Sequence, residues 1–259
     1  MQNSREYAKS KGAILFAKNT PDIDYVWIAS QSAKLIERHL GIPVTVVSPP
    51  PSETNLRFST EKNSFVAWNN RGRYSAFDDS PYDVTLLLDS DYLILDDRLK
   101  LPMNTVQDYL IVRNNSTIPQ STGIQTMGMY SLPISWATAV IFTRSDKSRL
   151  LFKMVERVQQ NYGYYRSLYN IAESNFRNDY AFTIADHVLS GYAEDTRTQL
   201  PWPMVTVQDS IKDIEIEKNR LVLRFDDRAL VIPRQSIHVM GKRYLQSKEF
   251  ERFVSESCS

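Results

Sequence analysis

Cysteine is almost absent. The single thiol, Cys258, has no internal partner, which excludes an intrachain disulfide and leads to the expectation of a reducing, cytoplasmic setting. Long apolar runs are missing too: no stretch approaches the roughly 18 residues of a membrane-spanning helix, and the first six residues lack the apolar core of a signal peptide. No membrane insertion is expected. Excess charge of either sign is absent, with a formal net charge of +1, so the overall balance calls for neither nucleic acid nor an acidic membrane. Basic residues do gather locally, at Arg71 and Arg73 and again at Lys242 and Arg243. The chain also lacks internal repeats and low-complexity linkers. With 42% apolar and 24% charged residues over 259 positions, it reads as one continuous globular domain, 1–259, with ample material for a core.

The most informative stretch is Tyr82 to Asp91, Tyr-Asp-Val-Thr-Leu-Leu-Leu-Asp-Ser-Asp. Val84 to Leu88 are apolar or β-branched without alternation, which predicts a strand covered on both faces, as in a parallel sheet flanked by helices. Ligands of such sheets bind beyond the carboxyl ends of the strands. Residues two apart in an extended segment point the same way, so Asp89 and Asp91 can face one hard cation. An Asp-x-Asp alone is weak, since 18 aspartates in this chain yield about one by chance. The other example, Asp22-Ile-Asp24, precedes a helical pattern and reads as a helix cap.

Elsewhere, Ala13 to Phe16 predicts a strand. A helix follows, with Ala29, Ala33, Ile36 and Leu40 at helical spacing and Gly41-Ile-Pro43 as its stop; Val44 to Val47 form the next strand, closed by Pro49 to Pro51. Strand, helix, strand within 40 residues is a right-handed βαβ unit. Residues 52–75 are polar and irregular. Short strands are expected at Tyr92–Leu95 and Tyr109–Val112, and residues 98–135 carry little other pattern. Ala137 to Phe142 predict a strand running into Ser145-Asp146, which caps a helix carrying Leu151, Met154, Val155 and Val158. Tyr162, Tyr164, Tyr165 and Tyr169 form a packing surface. A second helix is expected over Asp179–Leu189, ending at Gly191. Residues 211–232 alternate and predict an antiparallel meander with turns at Lys218-Asn219 and Asp226-Asp227. Trp136 and Trp202 read as buried anchors, and His39 and His187 as structural.

The third element of interest is Ile237-His238-Val-Met-Gly241-Lys242. An imidazole nitrogen added to two carboxylates gives a mixed donor set suited to Mn²⁺ rather than Ca²⁺. Lys242 could neutralise a phosphate, with Gly241 letting the backbone approach it.

Together these segments resemble the metal-binding core of GT-A-fold glycosyltransferases, and especially the retaining group that includes glycogenin and bacterial lipooligosaccharide galactosyltransferases. In that group a basic residue precedes a strand ending in Asp-x-Asp, and a C-terminal His-x-x-Gly-x-x-Lys-Pro-Trp motif closes the donor site. Arg73 to Asp97 matches the first motif, and His238 and Gly241 match the second. Lys242-Arg-Tyr departs from its spaced Lys-Pro-Trp. Ser135 to Phe142 is similar to the family's Phe-Asn-Ser-Gly-Val-Met-Leu-Phe strand without its Asn and Gly, and Asn178 to Phe182 resembles its Asp-Gln-x-x-Phe helix start.

The resemblance implies an α/β, Rossmann-like GT-A fold, with a mixed, mostly parallel central sheet flanked by helices and a small antiparallel meander near the C-terminus. Residues 11–110 would form a nucleotide-sugar-binding half, and 111–259 an acceptor half with a C-terminal metal-binding segment. It implies Asp89, Asp91 and His238 as ligands of Mn²⁺ or Mg²⁺. Ala17, Lys18, Arg73, Ser90, Gly241 and Lys242 would line the donor, and Asp179 would act at the anomeric carbon. The implied reaction is hexosyl or pentosyl transfer, with retention, from a nucleoside-diphosphate sugar to a glycan, protein or modified nucleic-acid acceptor. A further similarity is to phage-encoded sugar transferases, some of which decorate modified DNA bases. Two other readings stay open: a haloacid-dehalogenase-type phosphatase with Asp89 as nucleophile and Asp226-Asp227 as second acidic pair, and a nucleotide-sugar-binding module without turnover.

Overall fold

The computed structural model describes residues 9–48, 73–118, 121–123, 125–128 and 132–258. Arg71, the Pro49 to Pro51 stop and most of the polar segment 52–75 lie outside the described residues. The chain begins β1 (Lys11–Phe16), α1 (Tyr25–Leu40), β2 (Val44–Val47), β3 (Val84–Leu88), β4 (Tyr92–Leu93), β5 (Tyr109–Val112) and β6 (Asn115–Ile118). Then come β7 (Ser121–Gly123), a hairpin of β8 (Thr126–Met127) and β9 (Leu132–Pro133), β10 (Trp136–Thr143), α2 (Asp146–Gln160) and α3 (Asn178–Leu189). It ends with β11 (Met204–Val207), β12 (Asp213–Glu217), β13 (Arg220–Arg224), β14 (Ala229–Pro233), β15 (Ile237–Val239) and α4 (Lys248–Cys258).

The expected βαβ unit is present. Asp24 caps α1 through a 2.9 Å bond from the Trp27 N–H to its carboxylate. Gly41 ends the helix at φ +68°, a left-handed conformation that costs glycine little, and its N–H returns to Glu37. Strand β2 then pairs parallel to β1, and β1 parallel to β3. The central sheet has the order β2-β1-β3-β10-β5. Because β10 is antiparallel to both β3 and β5, four strands run one way and β10 alone runs the other. Every residue of β3 and β10 is buried, so the unbroken apolar runs report strands covered on both faces.

A second sheet, β4-β15-β11-β6-β7, stands beside the first and gathers segments far apart in sequence. The meander β12-β13-β14 forms a third. Its bounds match the alternation read from residues 211–232, and Lys218 takes the positive φ of +50° that the tight turn requires.

Two apolar clusters hold these layers. The larger packs the central sheet against α2 and α3, with Phe142, Phe152 and Phe182 in edge contact. The smaller joins the second sheet and the meander to α1 and α4, through Leu35, Val207, Leu223 and Phe250. The remaining aromatic expectations hold in part: Trp136 is buried, Trp202 is half-buried against the larger cluster, and Tyr164 is exposed beside buried Tyr165. His187 bonds the Tyr169 hydroxyl at 3.1 Å, a structural role.

Candidate metal centre

Asp89 is the first residue past β3, where the neighbouring strand is irregular. The register of β10 shifts between Trp136 and Val140, a bulge that frees the backbone groups of residues 137 and 138. The Asp89 N–H donates to the Thr138 carbonyl at 3.0 Å. The Asp89 carboxylate is half-exposed and pairs with the Arg73 guanidinium. Arg73, only 6% exposed, also donates to the Ala137 carbonyl at 2.7 Å. Burial pulls its guanidinium down to about 10, against the opposing fields of Asp179 and Asp91.

Asp91 is brought to His238 by sheet register. Strand β4 pairs antiparallel with β15 so that Tyr92 faces His238, and the Val239 N–H donates to the Asp91 carbonyl at 2.9 Å. The two side chains therefore leave adjacent rungs of one ladder. Asp91 Oδ1 lies 3.5 Å from His238 Nε2, and Oδ2 accepts from the Lys242 ammonium. Burial opposes ionisation of this carboxyl, but His238 and Lys242 outweigh it and hold it below the usual carboxylate range.

Asp89, Asp91 and His238 thus each offer one ligand atom, all within 4.8 Å of one another. Ligand atoms around one six-coordinate ion with bonds of about 2.1 Å sit about 3–4 Å apart, a comparable spread. The donor set, two carboxylate oxygens and an imidazole nitrogen, fits a divalent cation that accepts both oxygen and nitrogen, and is poor in the oxygens that Ca²⁺ prefers.

The other sequence-derived residues fall at varied places. Ser90 is buried, and its carbonyl accepts from Ser32 Oγ on α1 at 2.5 Å, which ties the Asp-x-Asp loop to that helix. Ala17 closes β1 with a 2.9 Å bond to Val47, and half-buried Lys18 follows it. Lys242 leaves the β15 exit toward Asp91 and donates to the Val239 carbonyl at 3.0 Å. Gly241 has an ordinary φ of −74°, and a Cβ there would meet Ser210 Cα at 3.4 Å, so nothing in its backbone demands glycine. Asp179 does not cap its own helix. Its carboxylate accepts from the Ala137 N–H at 2.9 Å and from Arg177 at 2.8 Å, so Arg73 and Asp179 hold the two sides of one bulge residue.

Three residues near the site went unread in the sequence. Tyr25 opens α1, and its phenol is raised by burial and by the field of Asp91. Thr206 and Asn115 lie behind His238 in a hydrogen-bonded row. Their strands, Asn-Ser-Thr-Ile and Met-Val-Thr-Val, are too short and mixed to announce themselves.

No family model and no curated protein sequence matches the chain. Among solved structures it is similar to the apo-form glycosyltransferase GlyE of Streptococcus pneumoniae TIGR4, at 14% identity over 74% of this chain and 45% of that one, with a TM-score of 0.37. A second GlyE structure overlaps at 13% identity over the same shares, with a TM-score of 0.38. A glycosyltransferase involved in the glycosylation of the major capsid of PBCV-1 overlaps at 14% identity over 76% of this chain and 80% of that one, with a TM-score of 0.36. The chain spans under half the length of GlyE. Overlaps this loose carry no functional argument, which rests on the residues themselves. No described helix is long and apolar enough to cross a membrane.

Proposed function

We propose that the chain is a metal-dependent glycosyltransferase of GT-A type, moving a hexosyl or pentosyl group from a nucleoside-diphosphate sugar to an acceptor with retention, in the cytoplasm. The observation that carries this reading is the convergence of Asp89, Asp91 and His238 within 4.8 Å at the carboxyl end of a buried central strand. Residues 11–110 form the donor half of a single domain and 111–259 the acceptor half, to which β15 adds the imidazole. Asp89, Asp91 and His238 hold Mn²⁺ or Mg²⁺. When bound, the ion stabilises the charge that grows on the departing diphosphate. Lys242 and Arg73, each already paired with one of the two aspartates, add positive charge beside that diphosphate. Ser90 and Gly241 bring backbone to it, and Ala17 and Lys18 border the nucleotide at the end of β1. Asp179 steadies the oxocarbenium-like anomeric carbon.

A phosphatase reading finds less support. Asp226 and Asp227 sit in the turn of the meander, in a separate sheet, with Asp226 bonded to Lys212 at 3.1 Å. The partners that the structure brings to Asp89 are Asp91, His238 and Arg73.

With Mn²⁺ present, one nucleoside diphosphate among UDP, GDP, ADP and TDP should raise the melting temperature by several degrees. A ligand at about 100 times its dissociation constant adds roughly 2.7 kcal/mol, and roughly 2–4 °C accompany each kcal/mol in chains of this size. No shift with any of them, with or without metal, sinks the donor site. A donor and acceptor screen read by mass spectrometry then assigns the acceptor among glycan, protein and modified nucleic-acid base.

Asp179 can be tested apart from its structural bonds. Asp179→Asn keeps an oxygen for the Ala137 N–H, so stability should change by only about 1 kcal/mol. Transfer should fall about a hundredfold or more if the negative charge serves the anomeric carbon. Transfer at the parent rate assigns Asp179 to holding the bulge alone.

A further inference from the structure

His238 meets Asp91 with one ring nitrogen and the interior of the second sheet with the other. Its Nδ1 lies 3.4 Å from Thr206 Oγ1, and that hydroxyl donates to Asn115 Oδ1 at 2.8 Å. The register of the sheet sets this up: β11 pairs parallel with β15 so that Thr206 faces His238, and β6 lies on the far side of β11. All three residues are buried, at 5% exposure for Asn115, 4% for Thr206 and 9% for His238. Their partners are therefore one another, because an unpaired polar group inside a sheet carries a full desolvation cost.

A threonine hydroxyl has one proton to give. Once that proton is committed to Asn115 Oδ1, Oγ1 offers the imidazole only lone pairs, and the hydrogen between Oγ1 and Nδ1 must come from the histidine. Nδ1 is then the protonated nitrogen. Nε2 is left to face Asp91 Oδ1 across 3.5 Å with a lone pair that only a proton or a cation can reconcile with the carboxylate. Lys242 occupies the other oxygen, Oδ2, so Oδ1 is the one turned toward the ring.

We propose that Thr206 and Asn115 are positioning residues for the metal centre: the Asn115–Thr206 pair fixes His238 with its hydrogen on Nδ1, and so presents Nε2 as a ligand nitrogen. The proposal rests on the reading of Asp89, Asp91 and His238 as metal ligands. Neither residue touches the donor or the ion. Their effect passes through the proton on Nδ1 and through the orientation of the ring, the part that partners behind a ligating histidine play at metal sites in general.

The experiment has two independent readouts. Long-range ¹H–¹⁵N NMR on metal-free protein reports which ring nitrogen carries hydrogen, and with only three histidines in the chain the His238 signal is assigned by single substitutions at His39 and His187. The parent should show a protonated Nδ1. Thr206→Val, equal in shape but without the hydroxyl, should lose that preference and weaken Mn²⁺ binding, measured by electron paramagnetic resonance of free Mn²⁺, about 10–100-fold. Thr206→Ser should restore both. A bare Nδ1 in the parent overturns the proposal, as does a Thr206→Val protein that matches the parent in both tautomer and affinity. Should Thr206→Val not fold, the parent's tautomer decides the matter without it. Should the parent bind no Mn²⁺, the metal reading falls, and the NMR result still decides whether the row orders the imidazole.

Discussion

Asp91→Asn should abolish the metal-dependent part of any nucleotide response and at the same time cost stability. The Asp91 side chain is 11% exposed, and both of its carboxylate oxygens face cationic or polarisable partners, His238 on one side and Lys242 on the other. An amide of the same shape cannot neutralise the Lys242 ammonium, and its NH₂ group is no metal ligand. Removing one member of a buried pair typically costs about 3–5 kcal/mol. Lys242 is partly exposed and can turn toward water, so the lower end, about 3 kcal/mol, is expected.

The pH dependence has a definite sign. Burial works against this carboxylate, but His238 and Lys242 hold its folded-state pKa below the ordinary range. Its contribution is therefore present above the unfolded value near about 4, and is lost as pH falls from there toward the folded value. Denaturant titrations of metal-free protein should separate parent and Asp91→Asn at pH 7 and bring them closer at pH 3. A gap that is the same at both pH values would remove the charge interaction as its cause. A parent-like metal response in the variant would remove Asp91 from the ligand set.

Arg73→Met should be the more destabilising of the two where the fold is concerned. The guanidinium is buried, pairs with Asp89 and donates to the Ala137 carbonyl, one of the groups released by the bulge in β10. Methionine fills much of the volume but leaves that carbonyl without a donor and Asp89 without its cation. An unsatisfied buried acceptor costs about 1–3 kcal/mol, and the broken ion pair adds to it. A total of roughly 3–5 kcal/mol corresponds to a fall in melting temperature on the order of 10 °C for a chain of this length. Arg73→Lys should recover little, since a single ammonium cannot span a carboxylate and a carbonyl in the way a planar fork does. Arg73→Met melting within about 2 °C of the parent would show that Arg73 is not what holds the bulge.

Much of the central sheet was legible because its signals are local. Asp24 and Gly41 bracket α1 as the capping and glycine signals foretold, and the apolar runs of β3 and β10 report strands buried on both faces, while the run of β2 forms a half-buried edge strand. The meander declared itself through strict alternation and two polar turns. Of the second sheet, β4 was expected, but what escaped was its middle, strands β6 and β11, which have four residues each and lie roughly 90 positions apart. Short polar strands earn their conformation from their neighbours, and no window along the chain contains those neighbours. The amphipathic α4, which seats Phe250, Phe253 and Val254 against α1 and β12, also lay unassigned in the sequence.

Sequence alone determined which residue types were available for a metal site, and that two carboxylates would follow a buried strand, because a covered strand must end where its polar residues begin; the extended spacing expected to align them gives way to a turn between β3 and β4, in which the Tyr92 N–H donates to the Asp89 carbonyl at 3.1 Å. Only the tertiary structure decided that a distant imidazole joins them. The β4–β15 register sets His238 beside Asp91, and the bulge in β10 turns Arg73 and Asp179 onto a single residue, Ala137. Pairing between strands far apart in sequence is a property of the folded sheet, and the same pairing aligns Asn115 and Thr206 behind the imidazole.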